Sequence, residues 1–420
     1  MIFIVITWSL VWGGMFSGPH EIRLGSLFPN PVSFITGLRP LFPIMALYIC
    51  SLWILATRSK WLTKSRSPMA FLVYYGLIGL LSSVFLSPNS SVAIYWALNY
   101  LSCFLVFSVI QEWDNFWFNL RAVFWINYSI TLFLLFSILP GALRLGISNL
   151  PPGQVYRLPL NLGDILVNGA GRFAVVAIIV SLVRFSTPGA KRKMFWLPIG
   201  IPAVFIVLQT QSRSALLGLG ICGLLFIILK GLDLKYLIIV LPANAYGLWL
   251  SGYKWRAQGS IENLIALTGR QSTWQRGLEL FKHSPFFGSG FHADRLMLKF
   301  EHMHNSYFHA LVQSGIFGVV CFLAALIGIW TFIIKSGLIR RARRIEGPDQ
   351  PFLIESVLIL TFLTARSLFE STAAFYGVDL LLLVPALCYV YAWIQENPKG
   401  GLREEKEASP DNHPAPGLTA

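Results

Sequence analysis

The chain has 420 residues, of which 55% are hydrophobic and only 12% charged, and its mean hydropathy is +0.63. Soluble domains carry roughly 25% charged residues, so the composition excludes a soluble globular protein and points to an all-α polytopic membrane protein. The net charge of +14 would suit nucleic acid, but the basic residues sit in clusters between apolar stretches rather than on one surface, which excludes that partner.

A membrane-spanning helix needs about 20 mostly apolar residues. In chain order, such stretches fall near 2–16, 35–57, 69–87, 91–110, 118–140, 170–185, 194–210, 213–229, 235–251, 306–334, 352–371 and 376–395, giving about 12 transmembrane helices. The first is short and has no basic leader or small-residue cleavage site, which argues against a signal peptide. Basic clusters occupy alternate connections: Arg58/Lys60/Lys64/Arg66, Arg184/Lys191/Arg192/Lys193, Lys230/Lys235, and Lys335 with Arg340/Arg341/Arg343/Arg344. The positive-inside rule makes these connections cytoplasmic, and both termini with them. The polar tail 396–420 reads as a disordered cytoplasmic end. Five cysteines (Cys50, Cys103, Cys222, Cys321, Cys388) all fall in predicted spans and are too scattered for a disulfide framework or paired metal ligands.

Two extracytoplasmic connections are long. One runs over about 141–169 and contains Pro151-Pro152-Gly153, Arg144 and Arg157. The larger, 252–305, holds seven Lys/Arg against four acids, and an anionic ligand on the outer face accounts for that excess. Within it, Leu264, Leu267, Trp274, Leu278 and Phe281 recur at helical spacing, which predicts an amphipathic helix over Ile261–His283 lying against the membrane. Ser284-Pro285-Phe286-Phe287-Gly288-Ser289-Gly290 ends it.

Five of the seven histidines (His283, His292, His302, His304, His309) lie in this loop and the start of the next span. Imidazole moves a proton near neutral pH, which no apolar neighbour can do. His304 reads either as a general base or as a histidine marking a helix start, where Asn305 and Ser306 are natural capping residues. A zinc site from His292, His302 and His304 lacks a completing carboxylate or cysteine. Arg213, in Gln209-Thr210-Gln211-Ser212-Arg213-Ser214, reads as an interfacial arginine or a phosphate clamp. Arg270 reads as a solvated helix face or as a second clamp on the same side of the membrane. Arg366 and Glu370, four apart on one predicted helix, read as an internal ion pair or as a substrate-positioning pair. No Asp-x-Asp motif occurs, which argues against a metal-dependent sugar-nucleotide transferase.

The order of these motifs resembles the O-antigen ligase family, with its related O-antigen and exopolysaccharide polymerases. Ser212-Arg213-Ser214 opens a span, and Gly269-Arg270 is followed by Trp274. Phe281-x-x-Ser284-Pro285-x-x-Gly288-x-Gly290 comes next, and His304-Asn305-x-Tyr307 enters a helix that carries Gly315 and Gly318. The resemblance covers about 195–330. It divides the chain into N-terminal transmembrane helices (1–194), a ligase-like core (195–330) with a periplasmic loop (252–305), C-terminal transmembrane helices (331–395) and the tail (396–420). It implies a bacterial inner-membrane enzyme that works without a cofactor or metal. Such an enzyme transfers a glycan, with inversion, from a polyprenyl diphosphate-linked donor to lipid A-core or another glycan acceptor. Membrane lipids surround it. By the resemblance, Arg213 and Arg270 bind the diphosphate and His304 takes the acceptor proton. Ser212, Trp274, Arg276, His302, Asn305, Tyr307 and Arg366 are expected to contact substrate.

A polymerase shares the donor chemistry and differs only in its acceptor. A lipid-linked glycan transporter is the reading of another class. It would place charges within the spans, whereas here the sequence collects polar residues in one outer loop.

Overall fold

A backbone in lipid must satisfy its own hydrogen bonds, and apolar runs free of turn residues do so as helices. The computed structural model describes residues 2–15, 19, 31–57, 68–112, 115–145, 155–158, 164–187, 193–232, 246, 270–298, 302–345 and 347–398. Its helices, in order, are α1 (Ile2–Gly13), α2 (Pro31–Leu38), α3 (Phe42–Thr57), α4 (Pro68–Phe85), α5 (Ser90–Gln111), α6 (Phe116–Leu145), α7 (Val167–Phe185), α8 (Leu197–Thr210) and α9 (Arg213–Lys230). They continue as α10 (Arg270–His283), α11 (Ala293–Met297), α12 (Ser306–Lys335), α13 (Leu338–Arg341), α14 (Asp349–Ser367) and α15 (Val378–Glu396). One antiparallel hairpin, β1 (Val155–Arg157) and β2 (Asp164–Leu166), pairs Tyr156 with Ile165 just before α7.

The protein is an all-α polytopic membrane protein. Among the described residues, nine helices are long and apolar enough to cross a membrane. Two further predicted spans are also helical: α1 is short at 12 residues, and α14 carries Asp349, Glu355 and Arg366. Apart from Tyr246, the predicted span 235–251 lies outside the described residues, as do Ile261–Gly269 of the predicted amphipathic helix and the tail from 399.

α14 and α15 run buried through the middle of the bundle. The expectation that the spans are nearly free of charge needs correction, because α14 is studded with it. Ionisable groups inside a membrane are tolerated when paired, and each one here is. Asp349 meets Arg121 and Arg366 meets Asp379. Glu355, fully buried, accepts two bonds from Arg184 at 2.5 and 2.9 Å and one from Tyr128 at 2.7 Å.

The predicted span 306–334 looks continuous in sequence, yet α12 breaks at Gly315 (φ 61, ψ −162). The turn Ser284–Gly290 fills the break. Ser289 and Gly290 N–H donate to the carbonyls of Val312 and Gln313, while Ile316 and Phe317 N–H donate to those of Pro285 and Phe286. Backbone groups freed by the break thereby find partners at membrane depth. Gly288 sits at φ 72, where a Cβ would lie 2.5 Å from Gln313. The Ser-Pro-x-x-Gly-x-Gly motif is therefore a backbone splice, and it brings residues 290–298 and 302–304 to one end of the bundle.

Candidate active site

At that end lies a cavity of about 400 Å³. Its wall includes Asn168 and Arg172 from the start of α7, His302 and His304 before α12, Arg366 at the end of α14, and Glu370 and Asp379 beyond it. The hairpin contributes Asp164, and α5 contributes Trp96.

His304 holds a left-handed backbone (φ 46), a conformation that costs a non-glycine residue of order 1–3 kcal/mol and persists where surrounding structure enforces it. The enforcement is visible. Asn305 caps α12 by accepting from Tyr307 and Phe308 N–H, and its amide donates to Leu368 O at 2.9 Å. Ser306 Oγ donates toward the carbonyls of Glu370 and Thr372, and Tyr307 OH lies 3.0 Å from Ser367 Oγ. These bonds stitch the His304 turn to the segment after α14.

Glu370 is the product of that stitching. Its Oε2 lies 3.0 Å from His304 Nδ1, and its Oε1 accepts from Asn168 Nδ2 at 2.8 Å. Arg270, the first residue of α10, donates to Phe369 O at 2.6 Å and lies 3.6 Å from Glu370 Oε1. Burial alone would raise the Glu370 carboxyl. The hydrogen bond with His304 and the charges of Arg366 and Arg270 outweigh it and hold it at about 2. A carboxylate on Nδ1 fixes the imidazole ring and leaves Nε2 as the free acceptor. The arrangement can accept a proton from a group in the cavity.

The expected Arg366–Glu370 pair does not form. Glu370 N–H still donates to Arg366 O at 2.9 Å, but the two side chains take different partners. Arg366 Nη1 donates instead to Asp379 Oδ2 at 3.0 Å, and Arg172 Nη1 to Asp379 Oδ1 at 2.9 Å.

The other histidines separate. His292 stacks flat on Trp96, centroids 4.2 Å apart, and burial, aided by the nearby Arg295 charge, keeps its basicity well below the ordinary value. His302 Nδ1 lies 3.2 Å from Asp294 Oδ2, which also meets His309 Nδ1 at 3.4 Å and Met303 N–H at 3.3 Å. Burial lowers His302 although Asp294 pulls the other way. Asp294 itself, which burial would raise, is held far below the carboxylate range by His309, His302 and Arg295. The carboxylate missing from the His292/His302/His304 metal set is thus present, but with different partners. Donor atoms of Asp294, His302 and His309 lie within 4.8 Å of one another, a set able to hold a metal ion, while His292 and His304 point to Trp96 and Glu370.

The remaining expected residues are distributed as follows. Trp274 stacks on Phe308 and donates to Met303 O at 2.7 Å, so it supports the His304 turn from behind. Arg276 is half-buried on α10 beside Ser272. Ser212, buried and 3.2 Å from Ser214 Oγ, and Arg213 begin α9 after a left-handed Gln211 (φ 52). This knot packs against α7 at Gly171, where a Cβ would meet Thr210 and Ser212 at 3.0 and 3.2 Å. It lies beside the position of Arg172, and Arg213 is not among the residues lining the cavity.

A family model described as O-antigen ligase matches residues 195–323. That part of the chain is similar to the O-antigen ligase family. The match takes in α8, α9, α10, the Gly288/Gly290 splice, His302, His304 and the Gly315 break. It indicates an O-antigen ligase-type function in surface polysaccharide biosynthesis and an enzyme of the ligase or glycosyltransferase type. No curated protein matches the chain. Asn168, Arg172, Arg366, Glu370 and Asp379 reach the cavity from outside the ligase segment. Glu370 is the partner that a search for chemistry near His304 in sequence misses. The signal that could have found it is an acid at the outer end of the predicted span 352–371, on the same side as the histidine loop.

Proposed function

We propose that this O-antigen ligase-type enzyme transfers a glycan from a polyprenyl diphosphate-linked donor to an acceptor hydroxyl, with inversion and without a metal, on the periplasmic face of the inner membrane. The observation that carries the reading is the 3.0 Å Glu370–His304 contact at the wall of an arginine-bearing cavity. The acceptor oxygen attacks the anomeric carbon as the bond to the donor phosphate breaks, and the diphosphate leaves with the bonding electrons. His304 Nε2 takes the hydroxyl proton. A positioned base of this kind contributes roughly 10²–10⁴-fold in rate.

Glu370 orients the imidazole and stabilises the imidazolium that forms. Arg270 fixes the Phe369–Glu370 segment and, with Arg366, supplies positive charge where the leaving diphosphate develops negative charge. Arg213, at the start of α9, adds charge from the neighbouring layer behind α7. His302 and Asn305 border the base and hold its turn. The acceptor is lipid A-core or a second lipid-linked glycan. Membrane lipids admit the polyprenyl chain between the apolar helices.

The test is reconstitution with a lipid diphosphate-linked oligosaccharide and each acceptor in the presence of a chelator. Product together with released polyprenyl diphosphate, both lost in His304→Ala, supports the reading. A strict requirement for added divalent metal would overturn it.

A further inference from the structure

We infer that Asp294, His302 and His309 form a transition-metal site of the zinc class, set behind the wall of the His304 cavity. The site is separate from the reacting atoms and does not rest on the transfer reading.

Asp294 stands on α11 and is fully buried. His302 precedes α12, and His309 lies in its first turn with 1% exposure. Asp294 Oδ2 lies 3.2 Å from His302 Nδ1 and 3.4 Å from His309 Nδ1. Charge-assisted N–H···O bonds prefer about 2.7–2.9 Å, so both contacts are long for hydrogen bonds to a carboxylate. They match a different distance. Two N or O ligands on one tetrahedral zinc, each about 2.0–2.1 Å from the ion, stand about 3.3 Å apart. Donor atoms of all three residues lie within 4.8 Å of one another.

The local charge balance favours a cation. Among the described residues, Asp294 has no lysine or arginine at ion-pair distance, and Arg295 acts on it from further off. Its partners are the two imidazoles and Met303 N–H, all on Oδ2. Its Oδ1 is buried with no hydrogen-bond partner. Buried carboxylates are paired or coordinate metals. Two imidazoles and one carboxylate select a zinc-class ion over magnesium or calcium, which prefer shells of oxygen.

Asp294 and His309 do not line the cavity, whereas His302 and Ser371 do. The fourth position and the way in therefore lie on that side. The His302 side chain is 19% exposed, and Ser371 Oγ lies 3.2 Å from His309 Nδ1. A cavity water or this hydroxyl completes four ligands. His292, stacked on Trp96, and His304, bonded to Glu370, take no part. An ion here ties α11, the His304 turn and α12 together. Asp294 also holds both imidazoles through protons, so the fold does not depend on the ion and transfer in chelator is compatible with it.

The test uses tag-free full-length protein in detergent, stripped by chelator and desalted. Zinc is titrated by calorimetry and cobalt by its visible absorption. The site requires one zinc per chain with Kd at or below about 1 μM, the absorption of four-coordinate cobalt, and a melting temperature raised by zinc. His309→Ala and Asp294→Asn should each weaken zinc by about tenfold or more, and His292→Ala should leave it within about twofold. Should the first two fail to fold, His302→Gln, at the cavity side, carries the test with the same loss expected. Wild-type protein that binds no zinc overturns the site. So does zinc binding that is unchanged in the ligand variants, or magnesium binding of equal strength. None of these outcomes touches the transfer reading, which falls instead if transfer strictly requires added metal.

Discussion

Glu370 Oε2 and His304 Nδ1 stand 3.0 Å apart although 66 positions separate them in sequence. The contact exists because Asn305, Ser306 and Tyr307 each bond to the chain between Ser367 and Thr372. A helix start and a helix end are thus tied into one proton-handling pair.

Glu370→Gln retains the shape of that pair and removes its charge. Transfer should fall by about tenfold or more through kcat, with KM little changed, because ring orientation and imidazolium stabilisation matter in the transition state. Steady-state kinetics on the reconstituted enzyme measure this. A pure KM effect would place Glu370 in substrate binding instead.

Acid should destabilise the protein through the same carboxylate. Glu370 is held at about 2 against an ordinary 4.5, so its stabilisation is complete above about 4.5 and is lost as pH falls toward 2. Asp294 is depressed in the same sense and adds to the loss below the carboxylate range. His302, lowered from 6.5, stays unprotonated in the fold while the unfolded chain takes up a proton, which costs stability as pH falls below 6.5. All three signs agree. Melting temperature in detergent should decline steadily from pH 7 downward, and Glu370→Gln should flatten the part between about 4.5 and 2.

Gly315→Ala should be severely destabilising. The residue sits at φ 61, and an added Cβ would fall on the backbone of Phe286. The backbone strain alone is of order 1–3 kcal/mol, before the clash with a splice that cannot move aside. Folded yield and thermal melting report the effect, and an alanine variant with wild-type melting would refute the splice.

Arg184→Gln strands Glu355, which is fully buried and takes two of its bonds from that guanidinium. Removing one partner of a buried pair costs about 3–5 kcal/mol, whereas replacing both partners by apolar residues of like size can be nearly neutral. The double variant Arg184→Met/Glu355→Leu should therefore melt above Arg184→Gln. The reverse order would show that the pair is not what holds α7 to α14.

Local pattern carried the fold and part of the site. Apolar runs gave helices because lipid leaves the backbone no other way to satisfy itself, and His304, Arg270 and Arg366 stood out because polar groups in such a chain have few reasons to be there. The pairings were not legible. Glu370 read as the helical neighbour of Arg366, but its carboxylate goes to His304 and Asn168 while Arg366 goes to Asp379. Arg172 and Asp379 meet across 207 positions, and no periodicity encodes that. The glycines at 288 and 315 suggested turns, but their meeting inside a broken span is a property of the assembled backbone. Arg213 read as an interfacial arginine or a phosphate clamp, and it is not among the residues that line the cavity.

The most direct measurement compares His304→Ala with His302→Ala in the reconstituted transfer assay with a chelator present. Both imidazoles border the cavity and each is paired with a carboxylate, but only His304 is paired with Glu370. The account predicts that polyprenyl diphosphate release is abolished in His304→Ala and persists, reduced, in His302→Ala. Full activity in His304→Ala with loss in His302→Ala would contradict it.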